Sequence, residues 1–140
     1  MKPRKPRDVV ITGVSSGIGL GMSRRLVAQG HRVFGTVRKS GDADRLRQEL
    51  GERFVPLILD ITETSAIYEA AERVAQAIGS SILFALVNNA GISVEGPLLQ
   101  ISLEEMRLQF ETNLFAQFEF VKAFSSLLGA SREFSGEPGR

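Results

Sequence analysis

The 140 residues contain no cysteine, so a disulfide frame, a thiol nucleophile and a cysteine-based metal site are all excluded. Long apolar runs are lacking too. A membrane helix needs about 18 apolar residues in succession, and polar residues interrupt every apolar stretch well before that. No membrane partner is expected, and the cytoplasm is the default location. An excess of one charge is also missing, since 17 Lys and Arg stand against 16 Asp and Glu for a net charge of +1. Lys2, Arg4, Lys5 and Arg7 all fall in the first seven residues, which hold no acid, leaving 13 basic against 16 acidic residues in the rest. The sequence pI of about 8.2 therefore makes no case for a nucleic-acid partner. The apolar run after this basic leader is only about five residues long, short of a signal-peptide core. Residues 1–7 read as a flexible, solvated tail.

What is present is enough apolar content, 43%, for one core. The chain is organised around Val9-Val10-Ile11-Thr12-Gly13-Val14-Ser15-Ser16-Gly17-Ile18-Gly19. Three β-branched residues in a row suit a strand covered on both faces, as in a parallel sheet between helices. Gly13 permits a sharp turn. Gly17 and Gly19 open the helix that follows, so unpaired N–H groups and the positive end of its dipole face whatever sits there, which should be an anion.

Strands are expected at 8–12, 32–37, 54–59 and 84–87. Helices are expected at 17–29, with Ile18, Met22 and Leu26 on one face; at about 43–50, after a polar loop at 38–42; and at 63–78, with Ile67, Ala71, Val74 and Ile78 at helical spacing. Strands alternating with helices predict right-handed crossovers onto a parallel sheet. Ser102-Leu103-Glu104-Glu105 is a capping box that starts a last helical region. There Met106, Phe110, Leu114, Phe118 and Val121 recur at about four-residue steps, as a core-facing stripe would. From Gly129 onward the sequence is a breaker-rich loop.

The glycine spacing is Thr-Gly-x-x-x-Gly-x-Gly, not the general Gly-x-Gly-x-x-Gly dinucleotide fingerprint. With Asp60 at the end of the third strand, Asn88-Asn89-Ala90-Gly91 after the fourth, and Asn113 in the last helix, it resembles the short-chain dehydrogenase/reductase family over residues 8–140. The resemblance implies an α/β, Rossmann-type, doubly wound parallel sheet with strand order 3-2-1-4-5-6-7. On that reading 8–128 is the dinucleotide-binding half, and 129–140 is a loop leading toward a fifth strand. The resemblance further implies an oxidoreductase that moves hydride between a nicotinamide dinucleotide and a small-molecule carbonyl or secondary alcohol.

Carried over residue by residue, the cofactor would be held by Gly13, Ser15, Ser16, Gly17, Ile18, Gly19, Arg38, Asp60, Ile61, Asn89, Ala90 and Gly91. Asp60 and the Ile61 N–H would serve the adenine, Asn89 and Gly91 the ribose, and Asn88 would tie neighbouring strands. Asn113 would support a catalytic lysine through a water. Asp60 also reads as a helix N-terminal acid, and Ser15 and Ser16 as turn stabilisers. Strand two ends in Thr36-Val37-Arg38-Lys39, with no acid before Asp42 to hold a ribose 2′-OH. Arg38 is placed to pair with a phosphate, so NADP is favoured over NAD unless Arg38 and Lys39 are merely solvated charges.

The family's catalytic Tyr-x-x-x-Lys and its Ser have no counterpart. Tyr68, the one tyrosine, is followed four residues later by Glu72, and Lys122 has no tyrosine partner. The expectation is the front portion of a longer enzyme, inactive alone, whose sheet is truncated after the fourth strand and its helices. A gene fragment, a frameshift, a natural short form or a non-catalytic NADP-binding module are the alternatives. That strand would then be an unpaired apolar edge, and the helix carrying Asn113 a surface for homo-oligomers.

Overall fold

A computed structural model describes residues 5–130, 136 and 138–140. Most of the basic leader lies outside the described residues, as do Ser131–Ser135 and Glu137 of the terminal loop. Strands β1 (Asp8–Ile11), β2 (Arg32–Val37), β3 (Phe54–Ile58) and β4 (Ala85–Val87) form one sheet in the order β3-β2-β1-β4. All pairs are parallel, with Val10 opposite both Phe34 and Leu86. Helices α1 (Gly17–Ala28), α2 (Ser40–Leu50) and α3 (Thr64–Ile78) are the crossovers. Then come α4 (Leu103–Phe110), a π-helical turn at Glu111–Phe115 and α5 (Ala116–Phe124). This is the expected doubly wound order.

Alternation along the strands explains the two cores. Val9, Ile11, Val33 and Val37 bury on one face beneath α1 and α2, together with Val14, Ala43, Leu46 and Phe54. Val10, Phe34 and Leu57 bury on the other, against Ile67, Val74 and Ile78 of α3 and Phe120 and Phe124 of α5. The sheet is thus covered on both sides, which is why its strands read as continuous apolar runs. Pro56 is tolerated because β3 is an edge strand in the described sheet.

Three local expectations, on the start of α2, the last helical stripe and the edge of β4, are corrected. Helix α2 starts at Ser40, so only Arg38 and Lys39 of the polar stretch lie outside regular structure. Ile18 is 77% exposed, and the fully buried positions of α1 are Gly19 and Ser23. The Phe110, Leu114, Phe118, Val121 stripe faces outward, each between 47% and 61% exposed, whereas Thr112, Ala116, Phe120 and Phe124 form the buried face. This helical region carries two apolar faces, and spacing alone does not say which one meets the sheet. The outer edge of β4 is not bare either. Arg140 donates its N–H to the Phe84 carbonyl and accepts from Leu86 N–H, both at 2.7 Å, so Pro138–Arg140 runs along the strand. Gly139 fits there because a Cβ would strike the Leu83 carbonyl and come within 2.8 Å of Leu128 Cδ2.

The last leader residue is also tied down. Arg7 donates its N–H to His31 Nδ1 at 3.2 Å, accepts from Arg32 N–H, and stacks its guanidinium 4.0 Å from the Phe84 ring centroid. No helix among the described residues is long and apolar enough to cross a membrane.

Candidate functional site

The C-terminal ends of the four strands converge on a cleft of about 520 Å³. Its floor is a knot of hydrogen bonds centred on Thr12, which is fully buried. Thr12 Oγ1 accepts from both Asn89 N–H and Ala90 N–H at 2.9 Å. The Asn89 side chain returns the tie, donating from Nδ2 to the Thr12 carbonyl at 2.9 Å and the Gly13 carbonyl at 3.0 Å. Thr36 Oγ1 accepts from Gly13 N–H at 2.9 Å. Asn89 therefore performs the strand-tying role expected of Asn88, which is exposed. The reason is the pleat: successive side chains point to opposite faces, and only one of the two asparagines faces β1.

The three glycines of the turn do different work. Gly13 has φ +68°, and a Cβ there would lie 2.8 Å from Ala90 Cα. Gly19 is buried where α1 crosses the turn, and a Cβ would strike the Gly13 carbonyl oxygen and come within 2.6 Å of Asn89 Nδ2. Its smallness is demanded by the protein itself. Gly17 has φ +58° with nothing within 4 Å of a built Cβ, so it borders open space. Ser16 makes no side-chain capping bond, and the first turn of α1 holds no acid, so the leading N–H groups are free for an anion.

Of the residues expected to hold a cofactor, Gly13, Ser15, Ser16, Ile18, Arg38, Asp60, Ile61, Asn89, Ala90 and Gly91 all line this cleft; Gly17 and Gly19 belong to the same turn but are not among its lining residues. Ile18, expected among the cofactor residues, is exposed and lines the cleft. Asp60 accepts from Thr62 N–H at 2.9 Å and Thr62 Oγ1 at 2.8 Å. Those two bonds, with Arg38 nearby, hold its carboxyl below the ordinary aspartate range. The N-cap of α3 is Glu63, so Asp60 is not the helix cap. Arg38 makes no ion pair among the described residues, although Asp42 also lines the cleft.

At the other end of the cleft, Asn113 sits inside the π-helical turn, a local feature frequent at functional sites. Its Oδ1 accepts from Ile92 N–H and its Nδ2 donates to the Ile92 carbonyl, both at 2.8 Å. Gln109, one turn earlier, accepts from Val94 N–H at 2.7 Å, and Gln117 donates to the Ala90 carbonyl at 2.8 Å. The helix thus grips the segment after β4 at three places. Thr12, Thr36, Gln109 and Gln117 were not singled out from sequence. Thr12 stood next to the glycine motif, and a hydroxyl ending a buried strand was the available signal.

Tyr68 does not face the cleft. It is 41% exposed on α3, where its hydroxyl donates to Glu119 Oε2 at 3.4 Å, and Glu119 pairs through Oε1 with Lys122 at 3.0 Å. Lys122 thus shares the Glu119 carboxylate with the tyrosine on the outer face, without forming the Tyr-x-x-x-Lys arrangement. The described residues hold no cluster of three or more metal-binding side chains.

Residues 7–136 match the family model for short chain dehydrogenases. The chain is 40% identical over 127 residues to an NADPH-dependent 3-dehydrocapnine reductase of Ornithobacterium rhinotracheale, covering 91% of this chain and 45% of that protein. It is 37% identical over 106 residues to a probable NADP-dependent dehydrogenase of Dichelobacter nodosus, covering 75% of this chain and 98% of that one. A solved NADPH-bound carbonyl reductase from chicken fatty liver superposes with a TM-score of 0.81 at 32% identity, covering 88% of this chain and 48% of that one. The chain spans less than half the length of the first curated relatives it matches. With the family model matched across all four strands and the glycine turn packed as described, the protein belongs to the short-chain dehydrogenase family.

Proposed function

We propose that this chain forms the cofactor-holding portion of an NADP(H)-dependent oxidoreductase acting on a small-molecule carbonyl or secondary alcohol. The observation that carries the reading is the cleft itself, which gathers the glycine turn, Asp60 and the Asn89–Gly91 segment at the C-terminal ends of the strands. A dinucleotide suits it: the first turn of α1 has free N–H groups, Gly17 opens onto empty space, and two cations, Arg38 and Lys39, lie at the adenosine end. When bound, that cofactor supplies or accepts the hydride. The α1 N-terminus would neutralise the pyrophosphate. Asp60 and Ile61 would receive the adenine, and Arg38 would pair with a ribose 2′-phosphate, which a guanidinium does in bidentate fashion. Asn89 and Gly91 would border the ribose, with Ile18 beneath the nicotinamide end.

Acid–base chemistry is another matter. The only tyrosine is bonded to Glu119 outside the cleft, and no lysine follows it at the required spacing. A positioned proton donor is worth roughly 10²–10⁴-fold, and a lost oxyanion donor about 3 kcal/mol. These 140 residues alone are therefore a nucleotide-binding module, with turnover requiring further residues. Self-association through the outward Phe110, Leu114 and Phe118 face is part of the same proposal.

The test is titration with NADPH and NADH, alongside NADPH oxidation against aldehydes, ketones and quinones. NADPH should bind more tightly than NADH, Arg38→Asp should abolish that preference, and the 140 residues should show no turnover. Equal affinities in the parent would remove the cofactor assignment, and turnover would require a proton donor not identified in the cleft.

A further inference from the structure

Two acids stand near the cationic end of the cleft: Asp60, held by Thr62, and Asp42, whose neutralisation depends on a side chain outside the cleft. Asp42, in the first turn of α2, lines the cleft beside Arg38 and Lys39. Left free, its carboxylate would oppose a 2′-phosphate as the two cations attract one. Arg45 lies one turn further on. Its Nη2 donates to Asp42 Oδ1 at 3.0 Å and to the Ser15 carbonyl in the glycine turn at 2.7 Å. Its Nη1 lies 3.8 Å from Glu49 Oε2, and the other oxygen of Glu49 pairs with Arg24 of α1. The chain Arg24, Glu49, Arg45, Asp42 thus links α1, α2, the glycine turn and the adenosine end of the cleft. Arg45 is the one side chain of α2 that hydrogen-bonds the turn among the described residues.

We infer that Arg45 is a positioning residue for cofactor choice: it neutralises Asp42 and anchors Ser15, so that Arg38 and Lys39 present an unopposed positive site to a 2′-phosphate. The inference rests on the proposed NADP(H) reading of the cleft. It differs from a purely mechanical role in one measurable way. A clamp on the Ser15 carbonyl would serve both dinucleotides equally, whereas neutralising Asp42 matters only for the one that carries the extra phosphate.

The experiment measures NADPH and NADH affinities for the parent protein, Arg45→Met, Arg45→Gln, Asp42→Asn and the Arg45→Met/Asp42→Asn pair. Arg45→Met should lower the NADPH-to-NADH affinity ratio about three- to fivefold, the scale of one exposed charge pair. Arg45→Gln, which keeps a donor for Ser15 but removes the charge, should show the same loss of ratio with NADH affinity held. Adding Asp42→Asn to Arg45→Met should restore the ratio. Equal weakening of both cofactors, unrelieved by Asp42→Asn, would overturn the inference and leave Arg45 as a clamp only. A parent that does not prefer NADPH would overturn the cofactor reading beneath it, a result seen before any variant is compared.

Discussion

The glycine turn at 13–19 and the helical region at 103–124 both border the cleft, but they differ in how closely they are packed. In the turn, backbone packs directly on backbone, alongside hydrogen bonds between Gly13 and the Thr36 and Asn89 side chains. Gly13 rests against Ala90, and Gly19 against the Gly13 carbonyl and Asn89, with no room for a Cβ at either. The helical region is held by side chains reaching backbone, through Gln109, Asn113 and Gln117, and it leaves an apolar face uncovered. The first device tolerates no added atom. The second tolerates changes on its outer face and is sensitive where an amide side chain makes a bond or where Ala116, Phe120 and Phe124 pack into the core.

The largest expected effect breaks the turn. Gly19→Val should lower stability by 3 kcal/mol or so, at the upper end of overpacking costs, because its branches meet backbone. Thermal unfolding and cofactor titration should fail together. Gly17→Ala sharpens the contrast, since its Cβ would enter open space and only the positive φ is strained, at about 1 kcal/mol. That variant should keep its fold and lose cofactor affinity; if Gly19→Val folds normally, the division between the two glycines is wrong.

Next in size is Thr12→Val, which keeps the shape but leaves the Asn89 and Ala90 N–H groups without their acceptor. A destabilisation of about 2 kcal/mol is expected in urea unfolding. The counterpart on the other region is Phe118→Glu. This should change the unfolding free energy by less than about 0.5 kcal/mol, as exposed positions do, while shifting any dimer to monomer in sedimentation. A protein that is monomeric before the change would remove the association proposal.

Smaller than the Thr12 effect is that of Ser102→Ala at the start of α4, where the hydroxyl accepts from Glu105 N–H and the Glu105 carboxylate accepts from Ser102 N–H. A loss of about 1 kcal/mol is expected. The pairing with Ser102 also holds the Glu105 carboxyl below its ordinary range. Because its folded-state pKa is depressed, the associated stability is present above the ordinary glutamate range and is lost as pH falls through the lowered value. Asp60, depressed by Thr62, follows the same sign. Amide exchange in α4 as a function of pH should show the loss in the parent and not in Ser102→Ala.

Much of this architecture was written in local chemistry. Alternating strands and helices, the positive-φ glycines at 13, 17, 30 and 51, and the capping box at Ser102 depend on residues within a few positions of one another, so sequence alone determined them. The glycine spacing likewise announced the cleft, because a missing Cβ is a steric statement that survives without tertiary context. What only the folded chain decided were questions of facing. Asn89 rather than Asn88 turned toward β1. Phe120 and Phe124 turned inward rather than Phe110 and Phe118. Pro138–Arg140 lay along β4. Each choice depends on partners tens of residues away, and two apolar faces of one helix bury equally well until a particular sheet and α3 select between them.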